Sequence, residues 1–198
     1  TLHYTDGEGY YQEYKNGRTL KEYGLVPFTL DGAQVKKSNL VRQKKMDNGF
    51  GGGVFSFNYS SGRLQASLGG AANEYKGNNF GKVIWVKNYI GDLDPDHEYY
   101  RNNANKIDAN VYLKANYELF KGLNVYGDLQ YRHINYTIDG LNDKWDWTKT
   151  PGGMQTLAVD NNYNFFNPKA SLFWQISKNN SAYASFSVAQ KEPTRNNF

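Results

Sequence analysis

The chain has 198 residues and a formal net charge of +4; it is only 39% hydrophobic but 16% aromatic, with 17 Tyr and 20 Gly. That balance excludes an ordinary core rich in Leu, Ile and Val, and the lack of Cys excludes disulfides and thiolate-held metal. The 23 basic and 19 acidic residues are dispersed, without the basic stripe and interleaved aromatics of a nucleic-acid surface, so no nucleic-acid partner is expected.

Mean hydropathy is −0.78, and no run approaches the ~18 apolar residues of a transmembrane helix. A membrane is still open to this chain, because a spanning strand needs only about 9–11 residues and turns every second one away from lipid.

In chain order, Leu2-His3-Tyr4 reads as the top of a strand, followed by a long connection to about Asn39 that holds Tyr10, Tyr11 and Tyr14. Arg42, Lys44 and Lys45 lie on the approach to the next strand and read as a solvated cluster. Six segments then alternate with period 2, the pattern of half-buried strands. The first, around Gly51 to Tyr59, puts Phe55, Phe57 and Tyr59 on one face. Its Gly51-Gly52-Gly53 run lies inside a strand, where it cannot cradle phosphate at a helix start.

The second sets Leu64, Ala66, Leu68, Gly70 and Ala72 against Gln65, Ser67 and Asn73. The third sets Val111, Leu113, Ala115, Tyr117 and Leu119 against Asn110, Lys114 and Glu118. The fourth sets Leu123, Val125, Gly127, Leu129 and Tyr131 against Asn124, Asp128 and Arg132. The fifth carries Pro168, Ala170, Leu172, Trp174 and Ile176, and the sixth Ala184, Phe186 and Val188.

Tight turns at Ser60-Ser61-Gly62, Phe120-Lys121-Gly122 and Ser177-Lys178-Asn179-Asn180 alternate with long connections, expected from about Lys76 to Ala104 and from Asp139 to Asn161. Short turns alternating with long loops characterise outer-membrane barrels. In lipid every backbone polar group must be paired, which favours a closed sheet with its apolar face outward and its charged face toward a wet lumen. The fold expected is therefore all-β, an antiparallel transmembrane barrel segment of about six strands. Outer-membrane lipid is then one partner. The alternative is a soluble or surface-exposed structural or adhesive β-domain with no transport role.

The candidate ligand-binding residues are loop aromatics, Trp85, Tyr89, Trp145 and Trp147, because rigid rings give contact area for bulky ligands. Tyr99 and Tyr100 lie in the same region. Asp92, Asp94 and Asp96 copy the opening of a calcium loop, but His97 stands where such a loop needs Gly and Asn103 where it needs Glu; they are weak calcium candidates and no metal is expected. His3, His97 and His133 are separated, and His133 falls on the lipid-facing phase of its strand. Asp143 and Asp146 form no convincing catalytic pair, no nucleophile stands beside a base, and neither enzymatic activity nor a cofactor is expected.

The segment YASFSVAQKEPTRNNF (Tyr183 to Phe198) resembles the strand-into-loop motif of TonB-dependent receptors. GEGYYQEYKNGRTLKEYGL (Gly7 to Leu25), FGKVIWVKNYIGDLDPDHEYY (Phe80 to Tyr100) and GLNVYGDLQYRHINYTIDG (Gly122 to Gly140) are similar to barrel segments of such receptors from Bacteroides-type bacteria. The resemblance implies a 22-stranded barrel in the bacterial outer membrane, with long loops extracellular and an N-terminal plug. It implies a scarce nutrient as cargo, most readily a ferric siderophore or similar iron complex, and the TonB complex as a partner through the plug. On this reading residues 1–198 are all barrel, the plug and TonB box lie outside them, and both ends are cuts at the extracellular side. Phe198 is then no closing residue, because Thr194 to Asn197 before it lack alternation.

Overall fold

The computed structural model describes residues 1–193; the EPTR-N part of the motif from Thr194 on, and Phe198, lie outside the described residues. Nine strands occur there: β1 Leu2–Thr19, β2 Phe28–Leu30, β3 Ala33–Val35, β4 Lys37–Ser61, β5 Leu64–Val86, β6 Glu98–Phe120, β7 Leu123–Asp146, β8 Gly153–Gln175 and β9 Ser181–Ser187. Seven form one antiparallel sheet in the order β1-β4-β5-β6-β7-β8-β9, which does not close on itself, and β2–β3 is a separate hairpin.

The two faces follow the sequence pattern. Leu68 pairs with Leu113, Leu113 with Leu129 and Leu129 with Pro168, so that in-register apolar side chains form one continuous face. These side chains stay exposed, with Leu113 at 49%, Leu129 at 50% and Phe57 at 66%. The opposite face carries Lys114 beside Asp128, and an ion pair of Arg132 with Asp108. Tight turns close the lower end. Gly62 and Gly122 sit there at φ 54° and 88°, a conformation costly for a residue with a Cβ.

β9 stops at Ser187 for an identifiable reason. Val188 N–H donates to Pro168 O at 3.0 Å, so the amide edge of β8 that faces β9 here belongs to a proline without N–H.

The structure overturns the long connections expected at 76–104 and 139–161. β5 runs to Val86 and β6 begins at Glu98, β7 runs to Asp146 and β8 begins at Gly153, which leaves loops of only 87–97 and 147–152. β1 likewise continues to Thr19 instead of ending near Tyr4. Strands of 23–25 residues are roughly 75–85 Å long, far more than a membrane requires. Above Ala72 and Ala109 both faces turn polar, so hydropathy stops alternating while main-chain pairing, indifferent to side-chain polarity, carries on.

At the loop end a 3₁₀ turn, Leu20–Tyr23, and the β2–β3 hairpin fold over the polar face. They bury Leu20, Tyr23, Leu25 and Phe28 against Leu40, Val83, Tyr99 and Tyr100, the main apolar core. It caps the tall part of the sheet.

Candidate functional site

The site is built where the cap meets the top of β7. Register shifts in β1 between Lys15 and Arg18, in β5 at Ile84 opposite Val41/Arg42, and in β7 between Leu141 and Trp145 bend these strand ends. The last shift brings Asp143 back over the polar face to Arg42 on β4, although β5 and β6 lie between the two strands.

Arg42 is the hub. Its Nη2 donates to Glu13 Oε2 at 2.8 Å and its Nε to the same oxygen at 3.1 Å, while Nη1 reaches both Asp143 oxygens at 3.2 Å. Nη1 also lies 3.3 Å from the Tyr99 hydroxyl. Lys44 pairs with Asp143, and Lys15 with Glu13. The Arg42 side chain is 12% exposed and Asp143 16%, so two charges sit in partial desolvation with their bonds made. Burial is the largest single influence and works against the Arg42 charge, but the hydrogen bond to Glu13 together with the nearby Tyr99 and Asp143 outweighs it and holds the guanidinium protonated. Bonds from Lys15 and then Arg42 lower the Glu13 carboxyl to about 2. Burial, with Asp143 adding to it, pushes the Tyr100 phenol up to about 12.

Beside this hub Trp145 and Trp147 stand as a tilted pair, ring centres 6.0 Å apart. Trp145 takes its place because Gly152 has no side chain: a Cβ there would lie 2.7 Å from the indole nitrogen. Trp147 is 72% exposed. Together with Arg18, Arg42, Asp143 and Met154 the pair lines a cavity of about 310 Å³.

The other candidates lie elsewhere. Trp85 is on the opposite, outward face, its ring 6.4 Å from Tyr14. Tyr89 packs edge-on to Phe28 at 5.3 Å, roofing the cap. Asp96 pairs with Lys82 at 2.6 Å, and an Asp94 carboxylate oxygen accepts the Asp96 N–H at 2.8 Å. Among the described residues no three acidic or histidine side chains come together as metal ligands. His133 is on the apolar face, its Nδ1 at 2.8 Å from Asn164 Oδ1.

The reading of Arg42 and Lys44 as solvated is corrected: both are mostly covered and paired with carboxylates from other strands. Arg42, Glu13 and Asp143 are the residues sequence reasoning missed. Continuing the period-2 phase of the polar face up β4 through Lys44 to Arg42 was the signal that could have found the first.

Searches of curated proteins and of solved structures gave no match. The family model described as "TonB dependent receptor-like, beta-barrel" matches residues 1–198. That family comprises outer-membrane transport proteins, not enzymes, that act with TonB and a cargo, which sets aside a structural or adhesive domain. Exposed apolar face, polar opposite face, antiparallel order and a match along the entire chain agree, and the chain belongs to the TonB-dependent receptor β-barrel family.

Proposed function

We propose that this chain is wall of a receptor that imports an iron complex, a ferric siderophore or similar, with its loop end outside the cell and its polar face toward the lumen. The Trp145–Trp147 pair over the Arg42 hub is the cargo contact. The observation that carries this reading is the cavity of about 310 Å³ in which two indoles meet cationic and anionic side chains on the polar face at the loop end. That volume is at the small end for a ligand site, and further barrel strands and a plug supply the remaining walls.

Iron complexes of this kind are bulky, and many are anionic and ring-bearing. Indole faces give them rigid contact area at little entropic cost, and Lys144 beside the pair adds positive charge, Arg18 being paired with Glu22. Arg42 itself is engaged by Glu13 and Asp143, so its part is to hold the top of β7 in place.

The test is cargo binding to the intact receptor. Ferric catecholate and hydroxamate complexes, haem, cobalamin and an oligosaccharide are compared, with Trp145→Ala/Trp147→Ala against Trp85→Ala. An iron complex is expected to bind, the double variant to lose roughly tenfold or more in affinity, as removal of aromatic contacts does, and Trp85→Ala to leave it unchanged. Binding confined to cobalamin or oligosaccharide overturns the iron reading. An unaffected double variant overturns the contact.

A further inference from the structure

The apolar face carries a second built feature, away from the cargo cavity. Near the top of the apolar band Leu2 pairs with Gly53, Gly53 with Ala72, Ala72 with Ala109 and Ala109 with His133, all in register. Three small positions between two larger ones leave a trough of about 520 Å³, bounded below by Phe55, Val111 and Tyr131. Next to it along β1 and β4 lies a second hollow of about 720 Å³, whose wall carries the polar side chains of Glu74, Lys76, Asn103, Asn105, Asp47 and Asp139.

Small residues also admit Tyr4. A Cβ on Gly51 would lie 3.0 Å from Tyr4 Cδ2, and one on Gly49 would lie 3.2 Å from its hydroxyl, so the ring lies along a glycine track. It remains 72% exposed, an aromatic surface open to a ligand at the junction of trough and hollow.

We infer that trough and hollow together seat a glycolipid of the surrounding leaflet, an acyl chain in the trough and an uncharged sugar headgroup in the hollow. A lipid is the occupant because the feature passes from apolar to polar at the edge of the band that faces lipid. The headgroup chemistry follows from charge. The hollow is lined by Asp6, Asp47, Glu74 and Asp139 against Lys76 alone, which repels a phosphate and accepts hydroxyl donors. Asp47 Oδ1 and Asn105 Oδ1 are buried and accept no hydrogen bond among the described residues, and sugar hydroxyls satisfy such atoms. Sugar rings stack on exposed aromatics, which gives Tyr4 its part.

Assigning this lipid to the outer leaflet rests on the orientation proposed above, but the site itself does not. The intact receptor is placed in nanodiscs of equimolar monoglucosyl diacylglycerol and phosphatidylglycerol, and retained lipid is read by native mass spectrometry. Retention of the glucosyl lipid should exceed that of phosphatidylglycerol about tenfold, the worth of one or two net hydrogen bonds. Ala109→Leu fills the trough and should abolish retention of both. Asn105→Ala with Glu74→Ala should keep the chain held and erase the preference. Equal retention of the two lipids, preference for phosphatidylglycerol with or without magnesium, or unaltered retention in Ala109→Leu overturns the assignment. The groove and the tryptophan cavity lie on opposite faces, so lipid retention is read without cargo. A receptor that binds no iron complex leaves this result standing.

Discussion

Replacing Arg42 by Met keeps a stem of similar length in the cap and removes the guanidinium. Three charge-assisted contacts are lost, two to Glu13 at 2.8 and 3.1 Å and the fork on Asp143 at 3.2 Å. Each such bond is worth about 1.5–3 kcal/mol when nothing replaces it. Here much is replaced: Glu13 keeps Lys15 and is 35% exposed, and Asp143 keeps Lys44. The surviving cost is therefore about 2 kcal/mol, roughly a thirtyfold shift in the local opening equilibrium. It falls on the cap and the top of β7, not on the membrane part of the sheet, where main-chain ladders are untouched. Hydrogen exchange on the intact receptor in detergent reads this directly. Amides in segments 20–35 and 140–147 should exchange about thirtyfold faster, with 64–72 and 123–131 unchanged. Unaltered exchange in the cap, or equal acceleration along every strand, refutes the hub.

Acid should loosen the same cap. The Glu13 carboxyl is lowered from 4.5 to about 2, so its contribution is complete above pH 4.5 and is lost as pH falls toward about 2. Exchange corrected for intrinsic rate should therefore rise across that window, and less so in Arg42→Met. At the alkaline end, burial raises the Tyr100 phenol from 10 to about 12, so the cap is at full strength below pH 10 and weakens as pH climbs to about 12, measured by phenolate absorbance. Leu113→Arg, on the lipid-facing side near mid-band, should destabilise the folded receptor by about 2–4 kcal/mol in denaturant titration, whereas Asn116→Arg on the polar face should stay within about 0.5 kcal/mol. Calcium added to the receptor should give no calorimetric heat from the 87–97 loop, because Asp94 and Asp96 are committed to a turn and to Lys82.

Within the membrane band almost everything was legible, because there the two solvents differ. Lipid on one side and a wet interior on the other force Leu64, Ala66, Leu68 and Gly70 into one phase and Gln65, Ser67 and Gly69 into the other. Above Ala72 polar residues stand in both phases and that constraint ends. Glu74 and Lys76 point outward while Tyr75 and Asn79 point inward, and no hydropathy contrast marks the ladder that continues to Val86. The hub was hidden for another reason: Arg42 finds its partners 29 and 101 residues away in sequence, a proximity that only the closed ladders create.

Trp85 shows how fine the margin is. Strict alternation up β5 puts Trp85 in the same phase as Val83, on the polar face with Arg42. At this level, however, Arg42 pairs with Val83 and Val41 with Trp85, so Ile84 is an extra residue on β5. One bulged residue turns every side chain beyond it to the other face. Trp85 thus meets Tyr14 on the outside, while Val86 regains the inside with Leu40. Which tryptophan can touch a cargo in the lumen is decided by that single residue and not by the aromatic content of the segment.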